Sequence, residues 1–293
     1  MPASYKQISR STTRSMAPRN VVVIIGTGGM GLAVARRLGS GAHLVLADFS
    51  QAQLDKAAET LRGEGHAVHA IQTDVSSLES VQNLATEASQ LGTICAIAHT
   101  AGLSPVQAPP DKIYQVDLLG TVHVIETFLT VASADTSLVV IASLAGHQAQ
   151  GTLSTELEKH LATAPADKLL SHPELTSPPD LQEKAPGLRA YGISKRANII
   201  RVQASAAAWG KKGARINSVS PGIISTAMGH QEFNGPLKEQ LRELVDKSPA
   251  ARVGTPSDVA NVVAFLCSPE ANFIVGEDVL LDGGWASSRK WIE

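Results

Sequence analysis

Tyr191 and Lys195 stand four residues apart in "LRAYGISKRANII", a stretch with helical spacing. Positions i and i+4 of a helix share a face, so a phenol and an ammonium would lie one turn apart. A free phenol, with a pKa of about 10, gives up its proton reluctantly at neutral pH. A neighbouring cation favours phenolate and lowers that pKa, which would make the pair a tuned general acid/base. The plain alternative is a surface pair.

A second group of residues has the spacing of a phosphate cradle. "VVVIIGTGGMGLAVARRL" sets Gly26, Gly28 and Gly31, with Met30 inside the turn, directly after an apolar strand and at the opening of a helix. Glycines there permit a tight turn and close approach of backbone to a pyrophosphate, and the helix N-terminus supplies amide donors and a partial positive charge. An acid follows at the end of the next apolar run: Asp48, 20 residues after Gly28. A carboxylate at that place can accept both ribose hydroxyls of NAD and would repel the 2′-phosphate of NADP, and "FSQAQ" offers no compensating cation. NAD is the expected cofactor. The other reading of Asp48 is a cap for the helix beginning near Ser50. Asp74 and Val75 after the third run, and Ala101 and Gly102 in "HTAG" after the fourth, fall at the same sheet edge, where ligands of such folds bind.

The elements that must position these residues are legible as a rhythm. Seven short apolar runs ("VVVII", "HLVLA", "AVHAIQ", "ICAIAH", "SLVVIAS", "ARINSVS", "EDVLLDGG") alternate with segments of helical period. Near-continuous apolar strands alternating with helices predict a parallel sheet covered on both faces. The fold class expected is α/β, a single-domain, Rossmann-like, doubly wound parallel sheet of seven strands with helices on both faces. Hydrophobic residues make up 43% of the 293, enough for a sizeable core. A formal net charge of −2 gives no electrostatic reason to expect nucleic acid or a membrane surface. The two cysteines, Cys95 and Cys267, lie in apolar runs and read as buried thiols, not as a disulfide framework. No metal site is expected. A cytoplasmic location fits. Residues 1–20 contain no Asp or Glu and are rich in Ser, Thr, Arg and Lys, the composition of a disordered tail or of an organelle-targeting segment.

The ordered set of motifs resembles the short-chain dehydrogenase/reductase family over about residues 20–286. It rests on the glycine turn, Asp74 before Val75, "TAG", Ser143 closing "VVIAS", the Tyr191/Lys195 pair, "SVSPGIISTAM" and "RVGTPSDVANVVAFLCSPEANFIVGEDVLLDGG". The long segment before Tyr191, with "AAAWG" after it, is similar to the hydroxysteroid dehydrogenase/carbonyl reductase branch. The resemblance implies an NAD-dependent enzyme interconverting a small-molecule secondary alcohol and ketone. Tyr191 would move the proton, Ser143 would bond the substrate oxygen, and Lys195 would tune Tyr191 and reach the nicotinamide ribose. Pro221, Gly222, Ile224 and Thr226 would meet the nicotinamide carboxamide or the phosphates. Residues 227–249 would form a mobile substrate lid, in which Leu237, Leu241 and Leu244 share a helix face that serves either core packing or substrate contact. A homo-oligomer, dimer or tetramer, is also implied, and residues 287–293 read as a C-terminal tail.

Three departures stand out. His99 and Thr100 replace the family's asparagines before Ala101 and Gly102, and His99 reads as a strand-end residue with no catalytic part. Asp117 in "YQVDLLGT" stands where the family has a fourth catalytic residue, an asparagine that fixes a helix bend and holds a proton-relay water. An ionised aspartate can accept but not donate, and near Lys195 it would pair with the ammonium and blunt its effect on Tyr191. Residues 145–188 form a long insertion holding five of the fifteen prolines. One capped helix is expected in it, at "STELEKHLATAP" with Ser154 or Thr155 as N-cap, in an otherwise irregular excursion. It either covers the subunit interface expected on the following helix or walls the substrate pocket. These departures keep two other functions in view: a non-catalytic NAD-binding sensor or scaffold, and non-redox chemistry on the same fold.

Overall fold

The computed structural model describes residues 20–176 and 187–292. The N-terminal tail (all but Asn20), the stretch 177–186 of the insertion, and Glu293 lie outside the described residues.

Each apolar run forms its strand: β1 (Asn20–Ile25), β2 (His43–Asp48), β3 (Ala67–Gln72), β4 (Thr93–His99), β5 (Ser137–Ile141), β6 (Arg215–Pro221) and β7 (Asp278–Leu281). They make one sheet, ordered β3-β2-β1-β4-β5-β6-β7, with every pairing parallel. The order reverses between β1 and β4, which opens a crevice at their carboxyl ends. The register brings those ends level, with Ile25 opposite both Ala47 and His99.

The helices are α1 (Gly29–Leu38), α2 (Gln51–Gly63) and α3 (Leu78–Leu91), then α4 (Pro110–Ile113), a π-helical turn (Tyr114–Leu119) and α5 (Gly120–Val131). Between β5 and β6 come α6 (Leu144–Gln148), α7 (Thr155–Thr163), α8 (Ala166–Leu169), α9 (Pro173–Thr176) and α10 (Leu188–Gly210). After β6 follow α11 (Ala227–Phe233), α12 (Lys238–Asp246) and α13 (Pro256–Cys267), and α14 (Trp285–Ile292) comes last. Among the described residues no helix is long and apolar enough to cross a membrane.

Alternation along the strands divides the core. Val21, Val23 and Ile25 of β1 enter one apolar cluster with residues of α3, α5 and α10. Val22 and Ile24 enter the other, with residues of α1, α2 and α13. Burying each such side chain contributes roughly 1.5–3 kcal/mol. Ser50, Ser77, Ser154, Thr226 and Thr255 cap their helices, each accepting the backbone N–H three residues on. Helix α1 has no such cap and begins at Gly28.

The region before α10 is more helical than its prolines suggest. Pro165 is the N-cap of α8 and Pro173 is the first residue of α9. Proline lacks an N–H that those positions do not need, so it starts these helices instead of breaking them. Ser154 is the N-cap of α7, as expected. Leu157, Leu161, Leu169 and Leu175 then form a third cluster with Ile193, Ala197 and Ile200 of α10. The segment therefore covers the outer face of α10. Two smaller differences follow. Residues 287–292, read as a tail, belong to α14. Cys95 and Cys267 are free and only part-buried, and burial pushes the Cys267 thiol up to about 12.

Candidate active site

The glycine turn shows why it needs glycine. Gly26 has φ +97°, and a Cβ there would lie 2.6 Å from the Ala101 nitrogen. A Cβ on Gly31 would lie 1.9 Å from the Gly26 carbonyl oxygen. Thr100, a departure from the family pattern, ties this turn to β4: its hydroxyl is shared between the carbonyls of Gly26 (2.9 Å) and Ile25 (3.2 Å). Ala101 N–H donates to the same Ile25 carbonyl at 2.8 Å. Asp48 at the end of β2 accepts from the Thr27 amide (2.7 Å) and hydroxyl (2.8 Å), and from the Ser50 amide (2.9 Å). The cap of α2 itself is Ser50, so Asp48 braces the turn and does not serve as that helix's cap.

A dinucleotide fits what remains. Gly28 is exposed, with nothing within 4 Å of where its Cβ would be. It opens onto the amides of α1 that no side chain caps. That is an anion cradle. Thr226 borders it, since a Cβ on Gly29 would lie 3.1 Å from Thr226 Cγ2. Met30 is half-buried and packs against the core behind the turn. Asp74 lies at the end of β3, with one carboxylate oxygen taken by the Ser76 amide (2.9 Å) and hydroxyl (2.6 Å). Val75 is buried, and its carbonyl meets His123 Nδ1 at 3.0 Å. Pro221 ends β6, the Gly222 amide donates to Leu281 at 2.9 Å, and Ile224 bridges to Gly254.

The proton-transfer residues meet at the same edge. Ser143 follows β5 and is the N-cap of α6, while Tyr191 and Lys195 share a face of α10. Ser143 lies close enough to Tyr191 to favour its phenolate. Lys195 Nζ stands 5.5 Å from the centre of the Tyr191 ring and 3.3 Å from the Ile141 carbonyl. Gly146 lets α6 close on α10, because a Cβ there would be 2.7 Å from the Lys195 carbonyl. His147, on α6, points to Asp278 Oδ2 at 2.7 Å, and Asp278 Oδ1 accepts from Ser218 (2.5 Å) and Ser220 (3.0 Å). That set anchors α6 to β6 and β7.

Asp117 is fully buried in the π-helical turn. Its Oδ1 accepts the Leu103 amide at 2.8 Å. Its Oδ2 lies 3.3 Å from Lys195 Nζ, close enough for an ion pair but without a well-aligned hydrogen bond. Gly102 lies over this pair, for a Cβ there would be 3.1 Å from Oδ2 and 3.2 Å from Nζ. Burial pushes the Asp117 carboxyl up, and Lys195 and the Leu103 amide oppose that rise. The turn is braced by Thr121, whose hydroxyl donates to the Asp117 carbonyl at 2.8 Å. Because that hydroxyl's one proton is spent, His99 Nε2, 3.1 Å away, must be the donor to Thr121. Burial holds His99 neutral, down to about 3. It is a strand-end residue, as its position suggested.

Among the chain's own groups, Lys195 does not bring the phenol down in this arrangement. Burial pushes Tyr191 above the ordinary phenol range, the charges of Glu232 and Asp117 add to the rise, and Ser143 opposes it. Asp117 engages the charge of Lys195. Glu232, on α11, was not foreseen: no motif marks it, and only folding of α11 over the Leu103–Gln107 loop brings it to Tyr191 and Ser104. Gln107 makes that seat, accepting the Ser104 amide at 3.1 Å and donating to Gln231 at 2.8 Å.

Two family models match the chain: "short chain dehydrogenase" over residues 19–155 and "Enoyl-(Acyl carrier protein) reductase" over residues 180–286. A "Short-chain dehydrogenase/reductase bsc3" of Alternaria brassicicola is 38% identical, covering 91% of this chain and 95% of that one. The chain belongs to the short-chain dehydrogenase/reductase family. A human dehydrogenase/reductase SDR family member 4 is 28% identical over 97% of this chain and 94% of its own. Among solved structures, a short-chain dehydrogenase/reductase described as a glucose/ribitol dehydrogenase, from Brucella melitensis, superposes with a TM-score of 0.69 at 28% identity. It covers 91% of this chain and 96% of that one. As a short-chain dehydrogenase/reductase, the protein is an oxidoreductase of a family that uses a nicotinamide cofactor on small molecules.

Proposed function

We propose that the protein interconverts a secondary alcohol and a ketone, using NAD(H) in preference to NADP(H), with Tyr191 as general acid/base. The observation that carries this reading is the meeting of Ser143, Tyr191 and Lys195 at the sheet edge that also holds the uncapped start of α1. The cofactor, when bound, supplies or accepts the hydride. In reduction, Tyr191 donates its proton to the carbonyl oxygen while Ser143 bonds that oxygen and orients it. In oxidation the phenolate takes the proton back. Lys195 is held beneath by Ile141 and Asp117. The preference for NAD(H) rests on Asp48, whose hydrogen-bond partners among the described residues are all uncharged. A 2′-phosphate beside it would be repelled.

Fluorescence titration with NADH and with NADPH tests the cofactor half of this reading. NADH is expected to bind tighter by at least tenfold, and Asp48→Ala to narrow the gap. Preference for NADPH in the native protein would overturn it. Tyr191→Phe tests the chemistry. Ketone reduction should fall by about a hundredfold or more, the range of a lost general acid, while NADH affinity stays within a few-fold. A Tyr191→Phe enzyme as fast as the native one would remove Tyr191 from the reaction.

A further inference from the structure

Ser143 opens a helix too short to hold its own direction. Helix α6 has five residues, Leu144–Gln148. A helix of little more than one turn gains few backbone bonds for the dihedrals it fixes, so its direction must come from what it touches. At its start, Ser143 Oγ accepts the Ala145 amide at 3.2 Å. Gly146 lies against α10, where a Cβ would be 2.7 Å from the Lys195 carbonyl. The next residue, His147, points about 100° further round the helix axis. It reaches β7, with Nε2 2.7 Å from Asp278 Oδ2.

Asp278 is itself firmly held. Its side chain is 6% exposed, and its Oδ1 accepts the hydroxyls of Ser218 (2.5 Å) and Ser220 (3.0 Å) on β6. A carboxylate so buried is costly without donors, and here three converge on it. An ionised carboxylate only accepts, so His147 Nε2 carries the proton of the third bond. One side chain therefore joins the helix that Ser143 caps to the last two strands of the sheet. The His147 side chain is 28% exposed, so replacing it leaves the apolar core intact.

We propose that His147 is a positioning residue for the reaction: through its bond to Asp278 it fixes the direction of α6, and so the place of the Ser143 hydroxyl beside Tyr191. The proposal rests on the alcohol–ketone reading above, and His147 acts in it only through Ser143. Without the bond, α6 keeps its seat on α10 but loses its hold on the sheet edge, and it can swing about Gly146. Ser143 then drifts from the phenol. Because Ser143 favours the phenolate, that drift makes Tyr191 harder to ionise. Lys195, Asp117 and Glu232 face the phenol from α10, the π-helical turn and α11, and their charges are unchanged by a substitution at His147.

The test compares His147→Ala with His147→Gln, whose amide nitrogen stands near the place of Nε2 and can donate to the same oxygen. Cyclohexanone, acetophenone and acetoin are reduced with saturating NADH, and the matching alcohols oxidised with NAD. In His147→Ala, kcat should fall by about tenfold, as expected of a group misplaced at a reacting centre, with little change in KM. The alkaline limb of the oxidation profile should move to higher pH. His147→Gln should restore both. In a Ser143→Ala background His147→Ala should add no further loss, since two residues acting as one unit are not additive. A native kcat and pH limb in His147→Ala overturns the proposal. So does a His147→Gln enzyme no better than His147→Ala, or the full loss repeated in the Ser143→Ala background. Amide hydrogen exchange decides the hold on α6 apart from turnover. Peptides covering residues 143–149 should exchange about tenfold faster in His147→Ala than in the native protein, and at the native rate in His147→Gln. Equal rates in all three overturn the proposal. Faster exchange in His147→Ala, with none of the three ketones reduced by the native protein, upholds the hold on α6 and overturns the alcohol–ketone reading alone.

Discussion

At Lys195 one positive charge serves two neighbours. Its Nζ is 3.3 Å from Asp117 Oδ2 and 5.5 Å from the centre of the Tyr191 ring, and attraction falls with distance, so the carboxylate has the larger share. Asp117→Asn removes that competitor and a negative charge that raises the phenol. The Tyr191 pKa must then fall. Oxidation needs phenolate, so the rising alkaline limb of the oxidation profile should move to lower pH. Glu232→Gln should move the same limb the same way and further, because Glu232 weighs more heavily on the phenol than Asp117 does. A pH profile of alcohol oxidation checks both, and an unchanged Asp117→Asn profile would remove Asp117 from the proton path. His99 gives a stability prediction of known sign. Its folded pKa, about 3, lies below the ordinary histidine value of about 6.5. The unfolded chain takes up a proton first as pH falls, so stability is lost from about pH 6.5 downward, by about 1.4 kcal/mol per unit. His99→Gln should flatten that slope in denaturant titrations at successive pH values. The placement of Tyr191 over Lys195 and of Asp48 beyond β2 was legible from spacing alone, because one turn of helix and one strand-helix-strand unit fix it, but the rise of the phenol was not. Glu232 was not, since its approach to Tyr191 depends on where α11 folds.

The elements near the site differ in how they begin and bend. Helices α2, α3 and α13 start on a serine or threonine cap, whereas α1 starts on an open glycine. That contrast separates two substitutions. Gly31→Ala would force a Cβ to 1.9 Å from the Gly26 carbonyl, so it should destabilise the fold and weaken NADH binding together. Gly28→Ala has φ −68° and open space around its Cβ. It should leave the unfolding midpoint within about 0.5 kcal/mol of native, as unencumbered substitutions do, yet weaken NADH binding at least tenfold by intruding on the cradle. Chemical denaturation and nucleotide titration on the two variants would show the difference. The strands and helices α1, α2, α3, α7, α10 and α12 could be read from period and caps. The π-helical turn at Tyr114–Leu119 could not, because its apolar residues continue the helical pattern of α4 and α5 on either side. Only the third dimension shows the widened turn that sets Asp117 against Lys195, a distortion that recurs at functional sites.

For the molecule as a whole, alternation of strands and helices predicts a parallel doubly wound sheet, but strand order is not written in any period and comes from the structure. The segment before α10 was the least legible part, since prolines that start helices look the same in sequence as prolines that break them. In the structure it is part of the core. Leu157 and Leu161 are fully buried against α10, Arg196 pairs with Glu158 at 2.6 Å, and Arg201 reaches the Leu161 and Ala164 carbonyls and Glu126. Tyr191 packs at the edge of the same cluster, so α7 to α9 support the helix that carries the acid/base. Any self-association of the chain must use faces other than the stretch of α10 that they cover. Leu161→Ala should cost about 2–5 kcal/mol, the range for a leucine removed from a close-packed core. Trp209, fully buried on α10, reports the sheet side of that helix. If the segment is integral, Trp209 fluorescence and far-ultraviolet dichroism will shift together to lower denaturant in Leu161→Ala, in one transition. A loose appendage would instead lose some helix signal early while the Trp209 transition kept its native midpoint, and activity would survive that first loss because Tyr191 would still be held by the sheet.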